Sequence, residues 1–376
     1  MRLSCLQENL SKGLAIVGRA AASRSTLPIT NNVLLSTDEG RLKLSATNLE
    51  MAVSCWIGAK VEEEGATTVP AKLLTDFVAT LPNDKIEIAL SAKKIMTLKC
   101  RRFEARMTGV DAKDFPPIPK VEGGVSVKID VNEFKKGIAR VVFAAATDES
   151  RPVLTGINAE FDGGVLTLAA ADGFRLAVYK MALAEPASQK VKAIIPSKTL
   201  SEVSRLITDG EETIGITVDS QKSQILFRLK NIELVSQLLQ GSFPQYNQII
   251  PQSHTTRSVI EVAQFLMAAK TAQIFARDGG GIVRLIMTPG GGKAPGRLSI
   301  TARSEEIGDD QAELDAAVSG EESKIAFNGK YLLDVLSVLS EDQVALEVTG
   351  PSSPGVLRPV GTDNYVHVVM PMFVQW

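Results

Sequence analysis

Three times along the chain a glycine opens the same short alternating string: Gly40-Arg41-Leu42-Lys43-Leu44-Ser45-Ala46, Gly164-Val165-Leu166-Thr167-Leu168-Ala169-Ala170 and Gly296-Arg297-Leu298-Ser299-Ile300-Thr301-Ala302. The copies begin 124 and 132 residues apart, far beyond the roughly 20–50 residues of a solenoid repeat. A second landmark follows each copy: Val69-Pro70-Ala71-Lys72-Leu73-Leu74, Ile195-Pro196-Ser197-Lys198-Thr199-Leu200 and Phe327-Asn328-Gly329-Lys330-Tyr331-Leu332. A third, Lys12-Gly13-Leu14 and Lys136-Gly137-Ile138, marks the first two copies, and Val259 to Leu266 holds the corresponding place in the third. Landmarks in one order at nearly one period predict three tandem domains. Such a tandem suits a curved scaffold better than a single catalytic cleft.

Within a copy the order of patterns reads α+β, with predominantly antiparallel strands. Copy one gives a strand from Arg2 to Gln7, a helix from Glu8 to Ala21, strands Asn32 to Thr37, Arg41 to Ala46 and Met51 to Val61, then a helix from Ala71 to Leu81. Pro70 and Pro196 signal helix starts, with Ser197 a capping residue. Proline-bearing segments, Asp114 to Pro119 and Ser242 to Tyr246, separate the copies, because proline lacks the donor a ladder needs. The domains are therefore expected at residues 1–122, 123–251 and 252–376.

With 376 residues, 44% of them hydrophobic, the chain can bury several cores. No apolar run approaches the roughly 18 residues of a membrane span, and Met1-Arg2-Leu3-Ser4-Cys5 alternates where a signal peptide would be continuously apolar. A cytoplasmic, nucleoid-associated protein is expected, with no membrane partner. Cys5, Cys55 and Cys100 are odd in number and lie in alternating stretches, which predicts buried free thiols, not disulfides or metal ligands.

The net charge is −2, from 41 basic and 43 acidic residues, and by itself it argues against tight nucleic-acid binding. The distribution argues otherwise. Lys12 and Arg19, Lys198 and Arg205, and Lys270 and Arg277 are spaced by seven in helix-like stretches, and Lys136 and Arg140 by four, so each pair shares a helical face. Phe134, Ile138 and Val141 form a separate apolar stripe. Solvated helix faces would carry the same charges at any one site. Recurrence of a few cations per copy suits weak, sequence-independent contact with a phosphate backbone.

Arg24-Ser25-Thr26-Leu27-Pro28-Ile29, Ala66-Thr67-Thr68-Val69-Pro70-Ala71, Asp172-Gly173-Phe174-Arg175-Leu176-Ala177 and Val368-Val369-Met370-Pro371-Met372 resemble the signatures of the bacterial β sliding clamp family, in order along the whole chain. The resemblance implies the processivity subunit of the replicative DNA polymerase. That is a head-to-tail homodimer of three-domain protomers, with sheets outside and helices lining a ring around double-stranded DNA. Arg24, in the matched motif, joins Lys12, Arg19, Lys136, Arg140, Lys198, Arg205, Lys270 and Arg277 as an expected DNA contact. For ring closure the resemblance implies Ile274 and Phe275 against the stretch containing Phe103, and Arg101, Arg102 and Lys72 facing Glu305 and Glu306.

The family also binds short linear peptides from the replicative polymerase, the clamp loader, and repair and translesion polymerases in an apolar pocket between its second and third domains. Matched positions are Leu154, Gly173, Phe174, Arg175, Leu176, Pro244, Ile249, Val368, Val369, Met370, Pro371 and Met372. Aliphatic and flexible methionine side chains suit leucine or phenylalanine anchors from many partners. The same strand could equally be core. Ala171, Phe174 and Gln248 depart from common family residues, and the Phe373-Val374-Gln375-Trp376 ending is longer and more aromatic than usual. Trp376 is expected to fold over the pocket and compete with peptide.

A non-DNA scaffold and an enzyme are the rival classes. Asp278-Gly279-Gly280-Gly281 and Gly290-Gly291-Gly292-Lys293-Ala294-Pro295 look like phosphate loops, but Lys293 precedes Ala294 and Pro295 where a phosphate loop needs Ser or Thr. Hairpin turns are expected there. His254 and His367 are the only histidines, and no metal or nucleophile motif accompanies them. No catalytic residue, metal or cofactor is expected.

Overall fold

The alternation in each copy is read out as strand burial. In the computed structural model, strand Val125–Asp130 buries Val125, Val127 and Ile129 and exposes the residues between them, as the period of two requires. The structure describes residues 1–376 apart from 22–26, 209, 211 and 292–294. Among the described residues six α-helices occur: α1 (Gln7–Val17), α2 (Ala71–Thr80), α3 (Val131–Val141), α4 (Ser197–Leu206), α5 (Val262–Ala276) and α6 (Gly329–Leu336). None of them is long and apolar enough to cross a membrane.

The landmarks have physical causes. Pro70, Pro196 and Asn328 stand at the N-caps of α2, α4 and α6. The Asn328 side chain accepts the Lys330 N–H at 3.0 Å, while Ser197, expected as a cap, is the first residue of α4. Gly13 and Gly137 are each the seventh residue of a helix. A Cβ on Gly13 would come within 2.7 Å of Leu44, and one on Gly137 would overlap Met181. These glycines let α1 and α3 lie close on their sheets.

Contacts divide the chain into two compact units, Met1–Asn132 with Leu183–Leu238, and Glu133–Ala182 with Leu239–Trp376. The first unit holds two antiparallel sheets. One runs Ala59–Glu63, Arg2–Leu6, Lys85–Leu90, Ile95–Cys100, Phe103–Thr108; the other runs Val125–Asp130, Thr213–Asp219, Gln224–Arg228, Ile232–Gln237, Met51–Ile57, Arg41–Thr47, Asn32–Asp38, Ala66–Pro70. The second unit carries strands in the order Gly156–Asp162, Val165–Ala171, Arg175–Ala182, Tyr365–Val369, Gly355–Pro359, Gln343–Val348, Thr256–Glu261, Gly308–Gly320, Gly296–Ser304, Ile282–Thr288, Ser323–Asn328.

Two boundaries differ from expectation. The first helix ends at Val17, with Gly18 at its C-cap, and does not reach Ala21. The expected strand from Met51 to Val61 breaks at Gly58, because Met51–Ile57 pairs with Arg41–Thr47 whereas Ala59–Glu63 turns into the other sheet beside Arg2–Leu6. In the third copy one strand, Gly308–Gly320, does both jobs: it pairs with Gly296–Ser304 along its first part and with Thr256–Val259 at its end.

Consecutive copies are stitched by one rule. The last strand of copy two pairs with copy one in the register Ile232 to Cys55, Leu234 to Val53 and Ser236 to Met51. The last strand of copy three pairs with copy two in the register Tyr365 to Tyr179, His367 to Ala177 and Val369 to Arg175. Backbone bonds recur at both ends: Trp56 N–H to Asn231 O and Lys180 N–H to Asn364 O, then Gln237 N–H to Glu50 O and Met370 N–H to Phe174 O.

Candidate partner-binding site

The Asp-Gly-Phe-Arg motif builds a turn that turns one aromatic outward. The Asp172 carboxylate accepts the backbone N–H groups of Phe174 at 2.8 Å and Arg175 at 3.0 Å. Gly173 between them sits at φ +96°, a conformation that glycine adopts without strain. Phe174 is left 59% exposed. Its carbonyl accepts the Met370 N–H at 2.8 Å, which fixes the C-terminal segment beside it. Met370 is 40% exposed and Ile249 45%.

Beneath these side chains Leu176, Val178, Tyr246, Val356, Val366 and Val368 form a buried cluster, with Ala171, Phe243 and Ile250 against it. Burial pushes the Tyr246 hydroxyl up from its ordinary pKa, with Glu160 adding to the effect. Of the expected pocket residues, Leu176 and Val368, paired across adjacent strands, belong to this buried cluster, and Val369 is also fully buried. Pro371 is buried, Met372 is half-buried, and Pro244 is exposed.

Arg175 was expected at the pocket, and the structure makes it the rivet of the turn. Its Nε donates to Asp172 at 3.0 Å, Nη1 to Asp334 at 2.6 Å and Nη2 to the Phe143 carbonyl at 2.5 Å. The guanidinium lies over the rings of Phe143 and Tyr331, so the buried charge is both paired and hydrogen-bonded. A cavity of about 510 Å³ opens beside it, lined by Phe143, Arg151, Leu154, Phe174, Arg175 and Tyr331. Leu154 is among the residues that line this cavity. Sequence reasoning missed Phe143, Arg151, Tyr331 and Asp334. Tyr331 stood inside the third copy's landmark, but nothing local ties it to Arg175.

The expected cationic contacts divide. Arg24 lies outside the described residues. Arg19, Lys198, Lys270 and Arg277 are exposed on or just beyond their helices. Lys12 and Arg205 are also exposed but pair with Glu8 and Glu202 within their own helices. Half-buried Lys136 reaches Glu341 at 3.5 Å. Arg140 is corrected: it is fully buried, its Nη2 donates to Glu341 and Ser340, and its guanidinium lies over Tyr179 and Tyr365. A planar cation between two rings is a structural filling and presents no charge to a phosphate. In α5, Met267 takes the sixth helical position held by Lys12 in α1 and Lys136 in α3, so Lys270 and Arg277 are not their counterparts.

The expected ring-closing residues lie at the surface. Phe103 is 54% exposed and Ile274 60%, Phe275 is half-buried, and Glu305 and Glu306 are exposed. Lys72 is exposed and pairs with Asp76 at 2.5 Å. The tail expectation is corrected, since the Met372 N–H donates to Ala326 O at 2.8 Å and the Trp376 ring lies 5.2 Å from the Lys324 ammonium. It runs along strand Ser323–Asn328, which offers that carbonyl, and leaves Phe174 uncovered. Gln248 is exposed, 3.5 Å from Gln245. The three cysteines are free and buried; burial pushes Cys5 up to about 12 and Cys55 to about 11, and raises Cys100 as well. Gly281 closes the turn after α5 by donating to Ala276 O, while Gly292, Lys293 and Ala294 lie outside the described residues.

The sequence pattern of the DNA polymerase III beta subunit matches in all three parts: the N-terminal domain at residues 1–119, the central domain at 128–245 and the C-terminal domain at 247–373. The chain belongs to the DNA polymerase III beta subunit family. It is 31% identical to the beta sliding clamp of Synechococcus elongatus over 99% of each chain, and 28% identical to that of Bacillus subtilis, also over 99% of each. The crystal structure of the Bacillus subtilis clamp superposes with a TM-score of 0.95 at 27% identity, and that of the Pseudomonas aeruginosa beta subunit with 0.93 at 29%, each covering 100% of both chains. The three tandem copies are clamp domains, and the function of the beta subunit is that of a DNA sliding clamp. Membership in this family implies an accessory subunit, not a catalytic one.

Proposed function

We propose that two copies of the chain close head to tail into a ring around duplex DNA, and that the Phe174, Met370 and Ile249 face tethers the replicative polymerase, the clamp loader and repair polymerases by short peptides. The domains of this reading are residues 1–122, 123–251 and 252–376. The observation that carries it is an unfinished repeat. Two joints inside the chain pair the last strand of one copy with its predecessor. Phe103–Thr108, the last strand of copy one, ends its sheet, and Gly308–Ala316 of copy three has no strand on its outer side among the described residues. Carrying the intrachain register onto this third pair sets Phe103 opposite Ala312, Ala105 opposite Asp310 and Arg106 opposite Asp309 of a second copy. Opposite charges facing each other favour that register, and a symmetric dimer closes two such seams.

A ring holds DNA by topology. Strong phosphate contact would resist sliding, since each neutralised phosphate adds salt-dependent affinity. A net charge of −2 with scattered helical cations supports that mode. The seam is tested with Arg106→Cys and Asp309→Cys combined, because directly opposed residues of antiparallel strands lie within disulfide reach. Mild oxidation is expected to yield covalent dimers. The buried, raised native thiols do not compete. Absence of cross-linking at concentrations where the chain is dimeric would contradict the register.

A further inference from the structure

Asp310 stands where the repeat otherwise places an apolar residue. It pairs with buried Ala302, so its side chain lies on the core face of the sheet, with Ala312 and Leu314 in the same row. The residues at its position in the two intrachain joints, counted from the shared register, are Val53 and Ala177, and both are buried. One carboxylate oxygen of Asp310, Oδ2, is shielded from solvent and has no hydrogen-bond partner among the described residues. Burial, with neighbouring Asp309, raises its pKa above the ordinary carboxylate value.

We infer that Asp310 is a built-in weak point of the ring seam that sets how readily the ring opens; the inference rests on the seam register proposed above. In that register the facing strand presents Phe103, Ala105 and Met107 on the same side as Asp310, because these pair with buried Cys100, Leu98 and Met96. None of the three carries a side-chain donor. Of the cations of that stretch, Lys99 and Arg106 pair with Glu104 and Arg101 with Asp84, while Arg102 is exposed in the turn before Phe103 and outside the row that faces Asp310. Lys99, Glu104 and Arg106 also fall on the opposite, outer face. The flanking helices expose the aliphatic side chains of Leu73 on α2 and Ile274 on α5, next to exposed Lys72, which pairs with Asp76, and exposed Lys270. Closing the seam therefore brings a poorly satisfied carboxylate against apolar groups, which is unfavourable unless it is paired or neutralised. The two intrachain joints carry no such charge at this position. DNA entry requires one joint to part, and the charge is placed in the joint that joins separate chains.

The test compares the full-length protein with Asp310→Val, the residue of the first joint, and with Asp310→Asn, which keeps the shape and removes the charge. Subunit exchange between fluorescently labelled dimers and the dimer dissociation constant by sedimentation are the readouts, with thermal unfolding as a folding control. The valine variant is expected to exchange about tenfold more slowly and to dissociate about tenfold less, and the asparagine variant about threefold, in line with relief of an unpaired buried charge. Should valine disturb folding, the asparagine variant alone decides. Unchanged or faster exchange in both folded variants would overturn the role of Asp310. Phe103→Asp separates that failure from failure of the seam: it is expected to give monomers, and a dimer that survives it would remove the register on which the inference stands.

Discussion

Arg175 Nη1 donates to Asp334 Oδ2 at 2.6 Å, linking the turn that carries Phe174 to helix α6. Both groups are largely shielded, and the guanidinium is further held by Asp172 and the Phe143 carbonyl. Arg175→Ala would leave Asp334 without its cation, and breaking a pair of this kind costs about 3–5 kcal/mol. Denaturant unfolding should show that loss. Peptide binding should weaken as well, because Phe174 loses its support.

The exposed face predicts a separable effect. Phe174→Ala and Met370→Ala remove apolar area without touching the core cluster, so unfolding should change by under about 1 kcal/mol. Affinity for a fluorescent peptide with leucine and phenylalanine anchors should fall about tenfold for each, as expected for anchor contacts. Unchanged affinity in both variants would place the peptide elsewhere.

Arg140 and Lys198 should behave oppositely. Arg140 is buried against Tyr179, Tyr365 and Glu341, so Arg140→Ala should lower stability by about 3–5 kcal/mol and leave the salt dependence of DNA binding unchanged. Lys198→Ala, at an exposed site, should leave stability nearly unchanged and reduce the salt slope by about one unit.

His367 gives the fold a pH dependence. Burial, followed by the Arg175 charge, lowers its pKa from the ordinary 6.5 to about 3, and neither ring nitrogen has a hydrogen-bond partner among the described residues. Above pH 6.5 the imidazole is neutral folded or unfolded and contributes no slope. Between pH 6.5 and 3 the unfolded chain takes up the proton and the folded chain does not, so stability falls as pH falls. Thermal unfolding from pH 7 to pH 4 should show that decline, and His367→Leu should flatten it.

The sequence made the large plan readable because the plan repeats. Glycine-led strands recur three times, and the helix-capping prolines and the Lys-Gly pair twice; each serves a local need, and a local need met again becomes visible. The Asp-Gly-Phe-Arg turn occurs once and was legible through the family resemblance; its carboxylate caps N–H groups two and three residues on. What stayed hidden depends on separation. The partners of Arg175 come from Phe143 and Asp334, and those of Arg140 from Ser340, Glu341 and Tyr365. Helical spacing places Lys136 and Arg140 on one face, but only the tertiary fold shows that one is half-exposed while the other fills an aromatic slot. The tail was misplaced for a related reason: the hydrogen bond to Ala326 and the Lys324 ammonium that hold it lie nearly fifty residues upstream.

Topological retention on DNA tests the central claim most directly. The protein is loaded onto nicked circular DNA by a demonstrably active clamp loader with ATP, passed through gel filtration at high salt, and the circle is then cut once. A ring that encloses the duplex co-elutes with circles at salt concentrations that abolish phosphate contacts and is lost after linearisation. Retention that survives cutting, or no retention on circles, would contradict the enclosing ring.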